Sequence, residues 1–237
     1  MAEKSLNKLS YYDTLSNLVP GIVFLWALPV VGPFPKAVTS LILTGNTVVD
    51  SIILLALSYV VGHVLQFLSK YSIEPAIKRI FWEGNFFSEI YLIKAFDKCS
   101  KVEHQRHTAF AHEKLNFTQE DISLLDDSEV KSDEDKLKKA LKLSNAIYRT
   151  IDAKTMDAGI AQKAHLQNTF YSFFRNLALL TLILALSDFA ALIFGFSQQA
   201  PKMAFFGLLC LGLMIVFIVR AKERGEAYIK GLFWSYT

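Results

Sequence analysis

Cysteine and proline are scarce in this sequence, which has two cysteines and six prolines in 237 residues. Cys99 lies in a polar stretch and Cys210 in an apolar run, so a disulfide between them is not predicted. No spacing of cysteine and histidine matches a zinc site. The sequence also lacks a phosphate-binding glycine loop and a nucleophile elbow. We therefore expect no zinc, no other metal and no cofactor, and no enzyme class is indicated by a strong motif.

Charge is nearly absent from both ends of the chain. Of 25 basic and 22 acidic residues, 17 basic and 16 acidic residues lie within residues 70–175. Four apolar runs lie outside that segment, at residues 14–35, 51–69, 176–197 and 203–219. A membrane-spanning helix needs about 20 mainly apolar residues. The sequence therefore predicts an all-α, polytopic membrane protein with four transmembrane helices. Its predicted partner is the lipid bilayer that these helices cross.

The distribution of lysine and arginine predicts the orientation of these spans. With four spans, 23 of the 25 basic residues fall on one side of the membrane, and only Lys36 and Lys202 fall on the other. Basic residues concentrate on the cytoplasmic side. We expect residues 1–69 to hold a cytoplasmic tail and spans one and two, and residues 70–175 to form a helical cytoplasmic insert. Residues 176–237 then hold spans three and four and a cytoplasmic tail.

Residues 70–175 are predicted to be helical, because apolar residues recur at helical spacing and alternating strand patterns are absent. Pro75 suits the first turn of a new helix. Residues 120–135 are strongly acidic and predict a solvated loop, with Asp121 and Asp133 as helix N-caps. From Asp135 a long helix is expected, and it could continue through Phe170 into the third span.

Aromatic residues cluster at the predicted ends of the spans and indicate interfacial belts. These residues are Tyr11, Tyr12, Trp82, Phe86, Phe87, residues 170–174, Phe233, Trp234 and Tyr236.

Asp188 is the one charged residue inside a predicted span. A carboxylate near the middle of a bilayer costs about 2.5–3.5 kcal/mol and normally faces protein or water. Asp188 is therefore either a hydrogen-bonded structural residue or part of a pore or subunit interface, with Ser187 and His63 as candidate neighbours. Asp50 is expected at the outer boundary, where it could attract cations. Four short spans enclose little room, so a pore would require a homo-oligomer.

Five basic residues mark the start of the long predicted helix: Lys136, Lys138, Lys139, Lys142 and Arg149. Two interpretations stay open. The residues could form a solvated face of a bundle helix, or they could bind an anionic ligand such as a nucleotide or an oligonucleotide.

Arg106 and His112 lie in the segment EHQRHTAFAHEK, which resembles the Arg/His motif of HEPN-type ribonucleases. That resemblance implies a pair that polarises a phosphate and acts as general acid and base. The same pair also resembles that of the HEPN-like membrane accessory proteins of some CRISPR systems. Because those proteins form pores, this resemblance implies a pore as well.

The segment YYDTLSNLVPG at residues 11–21, together with the four-span plan, resembles small polytopic membrane effectors of bacterial anti-phage defence. The nearest likeness is to the channel subunit of Hailong-type systems. The resemblance implies a channel of the bacterial inner membrane, held shut by an oligonucleotide that a partner nucleotidyltransferase makes. Its opening would depolarise the membrane during infection.

Three functions follow as hypotheses. The first is an oligomeric inner-membrane ion channel or pore, gated from the cytoplasm by a ligand or partner. The second is a membrane-tethered ribonuclease that uses Arg106 and His112. The third is a membrane anchor that docks a soluble partner through the acidic segment 120–135 or the basic helix.

Overall fold

A computed structural model of the chain describes residues 12–27, 46–158, 161–194 and 200–236. All regular structure in these ranges is helical, which confirms the all-α prediction. A π-helix, Thr14–Leu18, precedes α1, and two short 3-10 helices, Lys94–Phe96 and Val130–Ser132, lie between the later helices. The α-helices are α1 Val19–Ala27, α2 Thr47–Phe81, α3 Phe87–Ile90, α4 Lys101–Leu115, α5 Gln119–Asp126, α6 Glu134–Ala158, α7 Gln162–Ile193 and α8 Ala200–Tyr236.

Three of these helices, α2, α7 and α8, are long and apolar enough to cross a membrane. They contain 35, 32 and 37 residues, whereas a span needs about 20. They include the apolar cores of the second, third and fourth predicted spans. The first predicted span is represented by the shorter apolar helix Thr14–Ala27; its remainder, residues 28–35, lies outside the described residues.

The chain divides into two compact units. Unit 1 holds the described part of Met1–Ala76 together with Thr169–Arg224, and unit 2 holds Ile77–Asn168 and the residues from Gly225 onward. Helices α2, α7 and α8 therefore contribute residues to both units. Unit 2 therefore includes the last turns of α8 as well as the middle of the chain.

Helix α2 differs from the prediction around Pro75, which lies inside the helix and not at the start of a new one. A proline removes one backbone donor, so the carbonyl four residues earlier, at Tyr71, receives no helical hydrogen bond. Ile73 and Ile77, on either side of Pro75, are buried. Burial of this face offsets the lost bond and keeps the helix continuous to Phe81.

The long helix expected from Asp135 ends at Ala158, and α7 begins separately at Gln162. A single helix running into the third span is therefore wrong. The N-cap prediction for Asp133 is confirmed, because its Oδ1 accepts hydrogen bonds from the backbone N–H groups of Asp135 and Lys136 at 3.0 and 3.1 Å. Those bonds stabilise the carboxylate and lower the pKa of Asp133.

The acidic segment 120–135 is not one solvated loop, because its first half belongs to α5. Thr118, and not Asp121, is the N-cap. The Thr118 hydroxyl accepts from the backbone N–H of Asp121, and the Asp121 carboxylate accepts from the N–H of Thr118 at 3.0 Å. This reciprocal capping box satisfies two free donors at the helix start. Ile122 and Leu125 then bury the inner face of α5.

Unit 2 is built around an aromatic core that the sequence pattern places at membrane interfaces. Trp82, Phe87 and Phe233 are each at most 3% exposed, so their assignment to interfacial belts is wrong. The ring of Tyr91 lies 5.1 Å from that of Phe233 and 5.5 Å from that of Phe87. The last turns of α8 therefore complete the core of unit 2. The inner face of α6 includes Ser144, Ile147 and Ile151, which are fully buried.

Candidate functional site

A buried group of polar side chains joins three helices of unit 1. Its members, which we call the polar cluster, are Ser16, Ser69, Glu74, Arg175 and Asn176, and none is more than 7% exposed. They come from the π-helix, from α2 and from α7. The large majority of polar groups this deeply buried are hydrogen-bonded in native proteins. The cluster is therefore the main polar constraint on how these helices pack within unit 1.

Asn176 bridges the π-helix and α2. The side-chain Nδ2 of Asn176 donates to the carbonyl oxygen of Ser16 at 2.6 Å, and its Oδ1 accepts from the hydroxyl of Ser69 at 2.5 Å. One amide therefore links the π-helix to α2 through α7.

Arg175 and Glu74 form a buried ion pair in the same cluster. The Arg175 Nη1 donates to the Glu74 carboxylate, and its Nε donates to the Ser69 hydroxyl at 3.1 Å. The guanidinium also lies 5.3 Å from the centre of the Tyr171 ring. A buried charge without a partner strongly destabilises the folded protein, so two charges removed from water must contact each other and be hydrogen-bonded.

Two glycines allow the first helix to approach α2 closely. A Cβ at Gly21 would lie 1.8 Å from the carbonyl oxygen of Ser58, and one at Gly62 would lie 1.9 Å from that of Asn17. Any other residue at either position would collide with backbone. Close helix approach through small residues is a common way to pack helices in membranes. Two of the four residues in this contact, Asn17 and Gly21, lie in the segment 11–21.

Asp188 is buried in unit 1 and is 4% exposed. No described residue makes a hydrogen bond or an ion pair with its carboxylate. It lies on a buried face of α7 with Thr181 and Ala185. The neighbouring Ser187 hydroxyl donates to the carbonyl of Ile183 at 2.9 Å, so it is used within its own helix.

His63 does not meet Asp188 in the chain. It is exposed on α2, where its ring contacts that of Tyr59 edge-on at 4.5 Å. Asp50 is half-buried in the first turn of α2. The residues predicted for a pore or subunit interface therefore include one buried carboxylate and one exposed imidazole, in separate places on unit 1.

Arg106 and His112 lie on different sides of α4 in unit 2. Six residues apart on α4, they point about 120° away from each other, at about 100° per residue. The Arg106 guanidinium lies 4.6 Å from the centre of the Trp234 ring. His112 lies along a shallow open groove with Gln105, Thr108, Ala109, Glu113, Gln119, Ile122 and Asp126. Within one chain the two side chains therefore do not point to one place on α4, and the ribonuclease hypothesis stays a prediction.

The other two histidines of α4 are structural. His104 is buried, and its Nε2 lies 2.8 Å from the carbonyl oxygen of Leu92, while its Nδ1 lies 3.4 Å from the Asp126 carboxylate. His107 is fully buried among aromatic rings, 5.0 Å from Phe233. Burial lowers the pKa of His107 to about 4, so this side chain is neutral at pH 7.

We expect His107 to make the protein less stable in mild acid. Its pKa is lower in the folded chain than the usual 6.5, so its contribution is complete above pH 6.5 and is lost as the pH falls toward 4. The full loss is about 3 kcal/mol, at about 1.36 kcal/mol per pKa unit. Thermal unfolding in detergent between pH 7 and 4 measures it. His107→Phe should flatten the pH dependence, whereas the exposed control His112→Gln should keep it; equal slopes in all three proteins would contradict this prediction.

The five basic residues predicted to bind an anion lie exposed on α6. Lys138 pairs with Glu134 at 2.7 Å, and Lys136 approaches Asp127 at 4.0 Å. Lys138, Lys142 and Arg149 fall within about 40° of one another around the helix, at about 100° per residue. They form one exposed basic face within unit 2. Among the described residues no group of three or more His, Cys, Asp or Glu side chains could hold a metal ion.

The polar cluster is the part of the site that the sequence pattern does not single out. Arg175 and Asn176 look like an ordinary boundary between a polar segment and a span. Two signals were present. Glu74 is the one acidic residue between Asp50 and Glu83, and Arg175 is the one lysine or arginine between Lys163 and Lys202. Isolated opposite charges beside two spans are candidates for a pair.

Comparison of the whole chain with protein-family models, with curated proteins and with solved structures gives no match.

Proposed function

We propose that the chain is an oligomeric ion channel of the bacterial inner membrane, gated from the cytoplasm, that depolarises the membrane as an anti-phage effector. The observation that carries this proposal is Asp188, a buried carboxylate without a hydrogen-bond or ion-pair partner among the described residues. An ionisable group at this depth marks ion pathways in membrane proteins, because a purely structural carboxylate would be paired. Its charge would attract permeating cations.

The topology of the channel follows from the distribution of basic residues. The helix Thr14–Ala27 would begin the first span, and α2, α7 and α8 would supply the other three. With four spans, 23 of 25 basic residues lie on the cytoplasmic side. Both termini and residues 70–175 would then face the cytoplasm.

Gating would act through the helices that both units share. Helices α2, α7 and α8 contribute residues to unit 2 and also contain the candidate spans. The exposed basic face of α6 is the surface on which a nucleotide or an oligonucleotide would bind. The resemblance of residues 11–21 to the channel subunits of Hailong-type systems supports an oligonucleotide made by a partner nucleotidyltransferase.

Ion flux into liposomes tests this function. Purified protein should relax a potassium gradient across the vesicle membrane, and ATP or a short oligonucleotide should change the rate. Removal of the negative charge by Asp188→Asn should slow cation flux about tenfold or more, since a loss of about 1.4 kcal/mol of attraction already corresponds to a factor of ten. Ser187→Ala, at the adjacent position, is the matched control and should conduct like the native protein.

The channel proposal would be overturned by vesicles that hold their gradient with and without both nucleotide probes while containing folded, inserted protein. Equal flux through the native protein and Asp188→Asn would remove Asp188 from the pathway.

A further inference from the structure

One side of α2 carries two polar side chains that are exposed in the described part of the chain, Tyr59 and His63. Ile52, Ala56, Tyr59 and His63 recur at four- and three-residue steps, so they lie along one strip of the helix, and all four are exposed. We call these four residues the contact strip. The buried side of the same helix, with Ser58, Gly62, Leu65 and Ser69, packs within unit 1.

The contact strip lies inside the candidate span. Tyr59 is nine residues from Asp50 and eleven from Lys70, so it lies near the middle of the apolar segment. His63 is seven residues from Lys70, about 10 Å along the helix. A phenol hydroxyl and an imidazole at this depth would find no hydrogen-bond partner in hydrocarbon, which costs free energy. Lipid is therefore a poor cover for the strip.

A second copy of the strip is a suitable cover. A tyrosine hydroxyl donates and accepts, and a neutral histidine has one donor nitrogen and one acceptor nitrogen. Two identical strips can therefore satisfy each other, and no charged residue lies between Asp50 and Lys70 to repel the partner. Ala56 is small and permits close approach of the two helices.

We infer that two copies of the chain meet strip against strip along α2, with Tyr59 and His63 hydrogen-bonded across the interface. This inference rests on the proposed oligomeric channel and names one surface that builds it. It assigns His63 to the subunit interface instead of to a contact with Asp188.

Single-cysteine cross-linking in membranes tests the interface. In a Cys99→Ser, Cys210→Ser background, a cysteine is placed at His63 or Tyr59, and the control is Val64→Cys. Val64 is 51% exposed, lies next to His63 in depth, and points about 100° away from it. A disulfide needs Cβ atoms about 4 Å apart. Oxidation should cross-link the His63→Cys and Tyr59→Cys variants into dimers. The Val64→Cys variant should not cross-link.

The mass of the same samples in detergent distinguishes a failure of the strip interface from a failure of the oligomeric channel. An oligomer in which Val64→Cys cross-links and the strip cysteines do not would overturn the strip interface and leave the channel intact. A single chain without cross-links at any position would overturn both. His63→Phe provides a second measurement, because it keeps the size and removes the hydrogen bonds. It should weaken association without changing the thermal unfolding of the chain, and unchanged association would count against the inference.

Discussion

Glu74→Gln is expected to lower the free energy of unfolding by about 3–5 kcal/mol. The native carboxylate neutralises the buried guanidinium of Arg175. Its removal leaves a positive charge that is 6% exposed, with the Ser69 hydroxyl as a neutral neighbour. Breaking one side of a buried pair is costly because the remaining charge has lost its water and its partner. Thermal or denaturant unfolding in detergent, followed by circular dichroism, measures the change.

A double variant separates the energy of the pair from the cost of an unpaired charge. Glu74→Leu combined with Arg175→Met removes both charges and keeps similar volumes, so it should be much closer to the native protein than Glu74→Gln. Glu134→Gln is the control for an exposed pair, because Glu134 meets Lys138 on the surface of α6 and should cost less than about 1 kcal/mol. Equal losses for Glu74→Gln and Glu134→Gln would show that the polar cluster is not buried in solution.

Gly62→Ala is expected to cost about 3 kcal/mol or more, the largest effect for so small a change. The added methyl group would lie 1.9 Å from the carbonyl oxygen of Asn17, and backbone cannot move aside as a side chain can. The first helix would have to separate from α2, and the hydrogen bond from Asn176 to the Ser16 carbonyl would be strained with it. Overpacking costs about 1–3 kcal/mol even where side chains can adjust.

The chain supplies a graded control series for this prediction. At Gly207 a Cβ would lie 3.1 Å from the tip of the Phe189 ring, which can shift, so Gly207→Ala should cost less. At Gly212 nothing lies within 4 Å, and Gly212→Ala should be neutral or slightly stabilising, because alanine favours helix. Unfolding in detergent ranks the three variants. A Gly62→Ala protein as stable as Gly212→Ala would contradict the close packing of the first helix on α2.

The helical class and the long apolar helices could be predicted because they depend on local composition. A run of about 20 apolar residues has few stable alternatives to a helix in a membrane. The ends of the helices were harder to place. Helix α2 continues twelve residues beyond Ser69 to Phe81, and Ile73 and Ile77 on this continuation are buried. A local pattern with Pro75 in it does not predict that the helix continues.

The aromatic residues show a second limit of pattern reasoning. Trp82 and Phe233 follow apolar segments by 13 and 14 residues, and both are buried in the core of unit 2. An aromatic residue after a span has a similar sequence signature at a membrane interface and in a protein core. Only the packing of Phe233 on Tyr91 and His107 distinguishes them.

The candidate site was only partly predictable. Asp188 stands out because a charge inside an apolar run is rare. The polar cluster does not, because Glu74 and Arg175 are 101 residues apart and each resembles an ordinary flanking charge. The Arg106/His112 motif rests on residue types and spacing alone, and within one chain the six-residue step on α4 separates the directions of the two side chains by about 120°. A catalytic role for the pair stays a prediction.

The mass of the purified protein in lipid nanodiscs, where all subunits share one bilayer patch, is the most direct test of the channel account. Four spans of one chain enclose too little room for a pore, so the account requires more than one copy of the 26.7 kDa chain in each particle. We expect a mass of at least two chains after subtraction of lipid and scaffold. A mass of one chain, in protein that is folded and inserted, would contradict the account.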